Sequence, residues 1–466
     1  MTARSFFKIL FIMILIPSGS YAQDTLQITY PDFVQRVMQN SGKLDFDRQD
    51  VALAENRIDQ AQSSRWIPSV RLQTQHGLVP AVRSDSVLPW GDPLPKDEYY
   101  LDPNLRNDWN NWAIYNRGEL SAVQPLYTWG AINKAVDAAR KGAESARYQF
   151  EAQKVDMEIR LFELYFSYVL ALEIERLLGE ADDTIGKVER QINDMEEEGD
   201  PDLDISEVYK FRIFQSEFEI QREEVYRNLE FIQETWNYFL RDGNNSVYEP
   251  QVRFLDPVSK EFQDISFYQQ AAFNNRPELK ALKAGEEATD TYIESLKRQN
   301  LPGLFVGGYI RYANTPNRPF QDNPFIENTT NFFNGGFGFT IRQNLNFFQM
   351  RSNLERSRIE LRKVSYARDA ARDGVLLEVN NNYRKARVAD IRVKRTDDAL
   401  VTSKEWKRQE QQDYDFGIGE VKDLIDSMKK ELELKLQLKQ FIFEYNKSLA
   451  ELNKSAGIPL TTLITN

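Results

Sequence analysis

Hydrophobic positions along this chain recur with two periods. From Ala131 to Glu198 they return at helical spacing, as at Ile159, Phe162, Phe166, Val169 and Leu172, and the run holds no proline. At ~1.5 Å per residue such a helix is about 100 Å long. That exceeds any globular core and predicts a coiled coil. Gly199-Asp200-Pro201 breaks the run, and helix resumes from Ile205 to Leu240 before Asp242-Gly243. Ser69 to Val79 alternates instead. Val70, Leu72, Thr74, His76 and Leu78 fall on one face, and Arg71, Gln73, Gln75 and Gly77 on the other. Period 2 predicts a strand with one apolar side. Glu119 to Leu126 predicts a second strand with weaker alternation. Pro80 to Trp112, rich in Pro, Asp, Asn, Trp and Tyr, is expected to be a long loop, with Trp90, Trp109 and Trp112 as belt or plug residues. Shorter helices are expected over Pro31–Met38, Lys43–Ser64 and Phe262–Asn275, the last stopped by Arg276-Pro277.

The same order then returns. Glu278 to Gln299 is helical, and Leu301-Pro302 echoes Ile67-Pro68. Leu304–Tyr312 and Gly335–Leu345 predict strands around a loop rich in Asn and Pro, with Phe337, Phe339 and Ile341 on one face. Gln343-Asn344-Leu345-Asn346-Phe347-Phe348 aligns with Gln124-Pro125-Leu126-Tyr127-Thr128-Trp129. A second long helix follows over Met350–Gln412, then a turn at Gly417 and Gly419, then a return helix over Glu420–Ala456. Two structural repeats are therefore expected, 23–260 with a hairpin at about 67–126, and 261–466 with one at about 301–346.

Composition narrows the chemistry. Cysteine is absent and His76 is the only histidine, which removes thiolate chemistry, disulfides, histidine triads and multi-histidine metal sites. No cofactor and no metal are expected. Charged residues make up 28% of the chain and the mean hydropathy is −0.57, as expected for long water-exposed helices. Arg4 and Lys8, the apolar run Ile9–Ile16 and Ser20-Tyr21-Ala22 form a signal peptide over residues 1–22. Cleavage there removes two cations and no acid, taking the formal charge from −12 to −14 and disfavouring nucleic acid as a partner.

Four strands cannot close a barrel, and open sheet edges cannot face lipid. Three chains would supply 12 strands, an even number within the outer-membrane range. The alternative is a small soluble sheet packed on helices, which leaves the long helices without a role. In its duplicated order of elements, in Pro68 and Pro302 ahead of the odd strands, in Gln124-Pro125-Leu126-Tyr127, in Asn275-Arg276-Pro277-Glu278-Leu279 and above all in Tyr414–Asp426, the chain resembles the TolC-like outer-membrane efflux proteins. The resemblance implies a mixed α and β fold: a trimeric 12-stranded β-barrel continued by a periplasmic α-helical tunnel, with an equatorial belt of shorter helices. It implies an efflux duct in the outer membrane, acting as a homotrimer with a periplasmic adaptor (membrane fusion protein) and an inner-membrane pump. The outer-membrane component of a type I protein secretion system is the first alternative, and a periplasmic coiled-coil adaptor without a pore is the second.

No catalytic constellation emerges, and an enzyme is not expected. Asp423 and Asp426 lie three apart and share a helix face beside the Phe416–Gly419 turn. An acid/base pair or metal ligands would fit the spacing, but no cleft is implied beside this turn, and a solvated helix face is the weightier alternative. Repeated around a threefold axis, they would form acidic rings favouring cations. The resemblance implies such rings at Asp423 and Asp426, a tip network that includes Tyr414 with Glu207 near its acidic partner, and hairpin tips at Gly199, Gly417 and Gly419. The family's arginine would fall at Gly419, so that link is missing, and the sequence leaves open whether Lys422 replaces it.

Overall fold

The computed structural model describes residues 25–84, 105–199, 205–241, 246–259, 261–316, 318, 325, 328–416 and 418–463. The signal segment and Trp90 lie outside the described residues. The elements, in order, are β1 (Thr25–Ile28), α1 (Tyr30–Gln39), α2 (Gly42–Trp66), β2 (Ser69–Ser84), β3 (Leu105–Tyr127), α3 (Ala131–Glu198) and α4 (Ile205–Leu240). Then come β4 (Val247–Pro250), α5 (Ile265–Asn275), α6 (Pro277–Gln299), β5 (Gly303–Asn314), β6 (Phe332–Arg342), α7 (Phe347–Asp415) and α8 (Val421–Ser455). The order helix, helix, strand, strand, long helix, shorter helix thus occurs twice.

Proline sets several boundaries. Arg276 is extended at ψ 123°, as a residue before proline must be, so it ends α5 and starts α6 with Pro277 in the first turn. Ile67 ends α2 before Pro68 in the same way. Ser41 caps α2 by accepting a hydrogen bond from the Leu44 amide.

One antiparallel sheet has the order β2-β3-β5-β6, which among the described residues leaves β2 and β6 as open edges. Its register sorts the side chains. Leu72 stands opposite Leu120, Leu120 opposite Ile310, and Val70 opposite Ala122. Gly308 stands opposite Phe337 and Val306 opposite Phe339, so all of these share one face. Between Val70 and Leu78 and on their partners that face carries no Asp, Glu, Lys or Arg. Arg71, Gln73, Gln75, Glu119, Arg311 and Arg342 lie on the other. On β2 neither face is covered by the described residues: Val70 of the apolar face is 61% exposed, and Arg71 and Gln73 of the other face are exposed as well.

Two expectations need correction. The loop expected over Pro80–Trp112 is largely strand at both ends. The register slips between Pro80 and Ala81, after which Ala81–Ser84 pair with Leu105–Asp108. Proline cannot donate to the ladder, so the break in the pattern at Pro80 marks a bulge and not the strand's end. In the second hairpin, β6 begins at Phe332 and stops at Arg342, and α7 starts at Phe347 with an Asn346 cap, so Gln343–Leu345 is a connector. The sequence pattern also missed the parallel pair β1–β4, because four-residue strands carry too few positions to show a period.

The main core sits where the short elements wrap the middle of the long helices. Phe33 of α1 stacks on Trp236 of α4 at 4.4 Å, and Tyr165 and Tyr168 of α3 pack on the same indole. Tyr445, Leu449 and Leu452 of α8 and Val379 and Ala386 of α7 complete it. Among the described residues no helix is long and apolar enough to cross a membrane.

Candidate functional site at the hairpin tips

The long helices end in two tips. A second core holds them together: Ile185, Val188 and Ile192 of α3, Val208, Phe211 and Phe218 of α4, and Ile425 of α8. Burial of Leu424, Ile425 and Ser427 turns the opposite side of α8 outward, and both Asp423 and Asp426 are exposed there. Asp423 lies in the first turn of α8, where the helix dipole favours a carboxylate. The two acids are on one side, as the spacing predicts.

The turn ahead of them is tight. The amides of Ile418 and Gly419 both donate to the Asp413 carbonyl at 2.9 Å, and Phe416 donates to Gln412. A Cβ on Gly419 would lie 2.7 Å from the Tyr414 amide nitrogen and 2.9 Å from the Asp413 carbonyl carbon. No side chain fits this turn, which is a geometric reason for glycine where the resemblance implies arginine. Lys422 is exposed on the first turn of α8. Gly417 lies outside the described residues. At the first tip, Gly199 closes α3 with φ 66° and open space around it, so its requirement is handedness and not room.

Tyr414 connects the tips. Its hydroxyl donates to Met195 Sδ at 3.6 Å, near the end of α3. Glu207 falls in the first turn of α4, and its side chain lies outside the described residues. His76 is on exposed β2 with Nδ1 2.8 Å from Asn116 Oδ1. Trp109 and Trp112 stack edge to face in β3 beside the Pro80 bulge.

Two buried carboxylates went unnoticed in the sequence. Glu431 of α8 accepts from Lys407 of α7 at 2.6 Å and from Lys435 at 2.8 Å. Burial raises its pKa, but the two ammonium groups outweigh it and hold the carboxyl below the usual range. Glu173 of α3 is 1% exposed and meets Lys439 of α8 at 2.7 Å, Arg176 at 3.3 Å and the Leu255 amide at 2.6 Å. Its position was a signal: four residues after Val169 and four before Leu177, it stands where an apolar residue belongs. Among the described residues no group of three His, Asp or Glu could hold a metal ion.

No family model matches the sequence, and no curated protein matches it. Solved structures do. CusC, whose structures concern folding and transmembrane channel formation, aligns with a TM-score of 0.70 at 11% identity over 94% of this chain and 96% of that one. The Campylobacter jejuni CmeC outer-membrane channel gives 0.70 at 13% identity over 94% and 88%. The Vibrio cholerae outer-membrane protein VceC gives 0.68 at 14% identity over 92% and 96%. The chain therefore has the TolC-like fold of these channels.

Proposed function

We propose that this protein is the outer-membrane exit duct of a tripartite efflux system, a passive path for small molecules driven by an inner-membrane pump. The observation that carries the reading is the sheet. One of its faces is apolar across four strands, and its two edges, β2 and β6, are open among the described residues. Such a sheet is stable in lipid only when closed, because each unpaired backbone group there costs several kcal/mol. Three copies joined edge to edge supply 12 strands and turn the polar face inward. Along β6, from Phe333 to Ile341, the apolar face holds only Phe, Gly and Ile and spans about 26 Å, comparable to the ~25 Å apolar band of outer-membrane barrels. The helices then run on into the periplasm for about 100 Å.

In this reading residues 1–22 direct export, and 23–260 and 261–466 are two structural repeats of one ancestral half. The partners are two further copies, outer-membrane lipid, a periplasmic adaptor (membrane fusion protein) and the pump. The protein performs no catalysis. Asp423 and Asp426 form stacked acidic rings at the periplasmic mouth, and Tyr414, with Glu207 nearby, belongs to the contacts that hold the tips.

Asp423→Ala with Asp426→Ala is expected to reduce cation preference in planar-bilayer recordings, read as a reversal-potential shift towards zero in a salt gradient. Unchanged selectivity would rule out the acidic rings. The duct itself is tested by fractionation. It should stay with outer membranes until detergent is added and then run as a trimer, and recovery as soluble monomer would refute it.

A further inference from the structure

The polar face of the sheet is not merely wet; it is basic. On the helix side of the bulge at Pro80, the described residues of that face carry four arginines, Arg71, Arg117, Arg311 and Arg342, against one carboxylate, Glu119. Three of the arginines cluster. Arg311 stands directly across from Glu119, with Nε 3.4 Å from the Oε2 atom. Arg117 approaches the same oxygen at 3.6 Å. Arg71 occupies the adjacent row, opposite Ser121. One carboxylate shared by two guanidinium groups leaves the patch with surplus positive charge.

Aromatic rings hold two of these side chains in place. Arg311 lies over the Tyr309 ring at 4.3 Å and Arg342 over the Phe305 ring at 5.2 Å. Stacking limits where each guanidinium can swing while leaving N–H donors free for an oxyanion. Guanidinium groups take carboxylate, sulfonate and phosphate oxygens in paired hydrogen bonds. The tip is the opposite case, with Asp423 and Asp426 exposed at the start of α8.

We propose that the sheet's polar face is an anion-attracting section of the duct, in which Arg71, Arg117 and Arg311 draw the carboxylate, sulfonate or phosphate groups of passing solutes. This rests on the duct reading, because only barrel closure turns the face inward. Closure repeats the cluster three times inside low-dielectric walls, which strengthens its field. Solutes then cross two charge filters of opposite sign, acidic at the tip and basic within the barrel.

The cysteine-free chain allows a direct test. Gln73 shares its row with Glu119 and Arg311, and Leu72 faces the other way. In membranes holding the full-length trimer, Gln73→Cys is treated with a negatively charged methanethiosulfonate (sulfonatoethyl) and a positively charged one (trimethylammonioethyl). Rates are normalised to a free thiol. The anionic reagent is expected to win by about tenfold. The preference should collapse towards one with Arg71→Gln, Arg117→Gln and Arg311→Gln together. Arg71→Gln alone, which leaves both Glu119 pairs intact, should remove part of it. If Gln73→Cys reacts, Leu72→Cys is protected, and the ratio is near one or indifferent to these changes, the arginine proposal is wrong and the duct stands. If Leu72→Cys reacts as readily as Gln73→Cys, the faces are not divided between lipid and water, and both readings fall.

Discussion

The waist and the tip of this molecule are built on opposite principles. At the waist, large aromatic side chains from α1, α3, α4 and α8 interlock, with Trp236, Tyr165 and Tyr168 fully buried. At the tip, a thin seam of Ile, Val and Phe joins three helices while the acids face outward. Charges follow this division only in part, since Glu431, two residues beyond Lys429, is buried between Lys407 and Lys435. At the waist Glu173 is sealed between α3 and α8, and its Lys439 partner also donates to the Leu255 carbonyl at 3.1 Å. Nearer the tip, the α8–α4 pair Lys429–Glu217 is 3.4 Å long and exposed on both sides, a kind of contact worth little in water. A long rod with one deep core near its middle is fixed there and yields first at its ends.

The largest expected effect tests the waist. Trp236→Ala removes an indole that contacts Phe33, Tyr165 and Tyr168, and should cost about 3–5 kcal/mol in a urea melt followed by helical circular dichroism. A loss below 1 kcal/mol would show that the waist is not the cooperative core. Alkali tests the same region. Burial pushes Tyr165, Tyr168 and Tyr445 each up to about 12. Unfolded tyrosines ionise near ~10, so between these values the unfolded chain sheds protons that the native chain keeps. The stabilisation is complete below about pH 10 and is lost as pH rises towards 12. Urea midpoints should therefore drop steeply over that window. Tyr165→Phe with Tyr168→Phe should flatten the drop, and an unchanged slope would place its origin elsewhere.

How far the sequence reveals this arrangement varies with the kind of order involved. The long helices are legible because 68 and 69 residues give the pattern many turns to repeat, and α3 begins and ends where the spacing predicts. The strand faces at Val70/Leu72 and Phe337/Phe339/Ile341 are legible because alternation survives even a weak strand. Glu119 and Arg311 are different. Each is visible as a polar position, but their pairing depends on β3 lying beside β5, which joins the two halves of the chain. Met195 as a partner of Tyr414 is hidden for the same reason, 219 residues away. The Pro80 bulge was misread because one proline in a ladder and one in a loop look alike in sequence. At Gly419 the residue was noticed but its cause was not, since crowding by Asp413 and Tyr414 exists only in the folded turn.

The smallest effects set the two tips against each other. Gly419→Ala places a methyl group 2.7 Å from backbone, and the turn must open to accept it. A cost of about 1–3 kcal/mol is expected for such overpacking, felt locally, because the tip contributes little to the waist core. Gly199→Ala meets open space and only a left-handed backbone, with φ at 66°, and should cost about 1 kcal/mol. Hydrogen exchange of the two tips separates these cases: faster exchange of the Ile418 and Gly419 amides in the first variant, a smaller change around Gly199 in the second, and near-constant global melts in both. Gly419→Arg should behave like Gly419→Ala at the backbone, since the clash begins at Cβ. If Gly199→Ala instead proves the costlier change, the second turn yields to accept a side chain, and crowding no longer explains why glycine stands there.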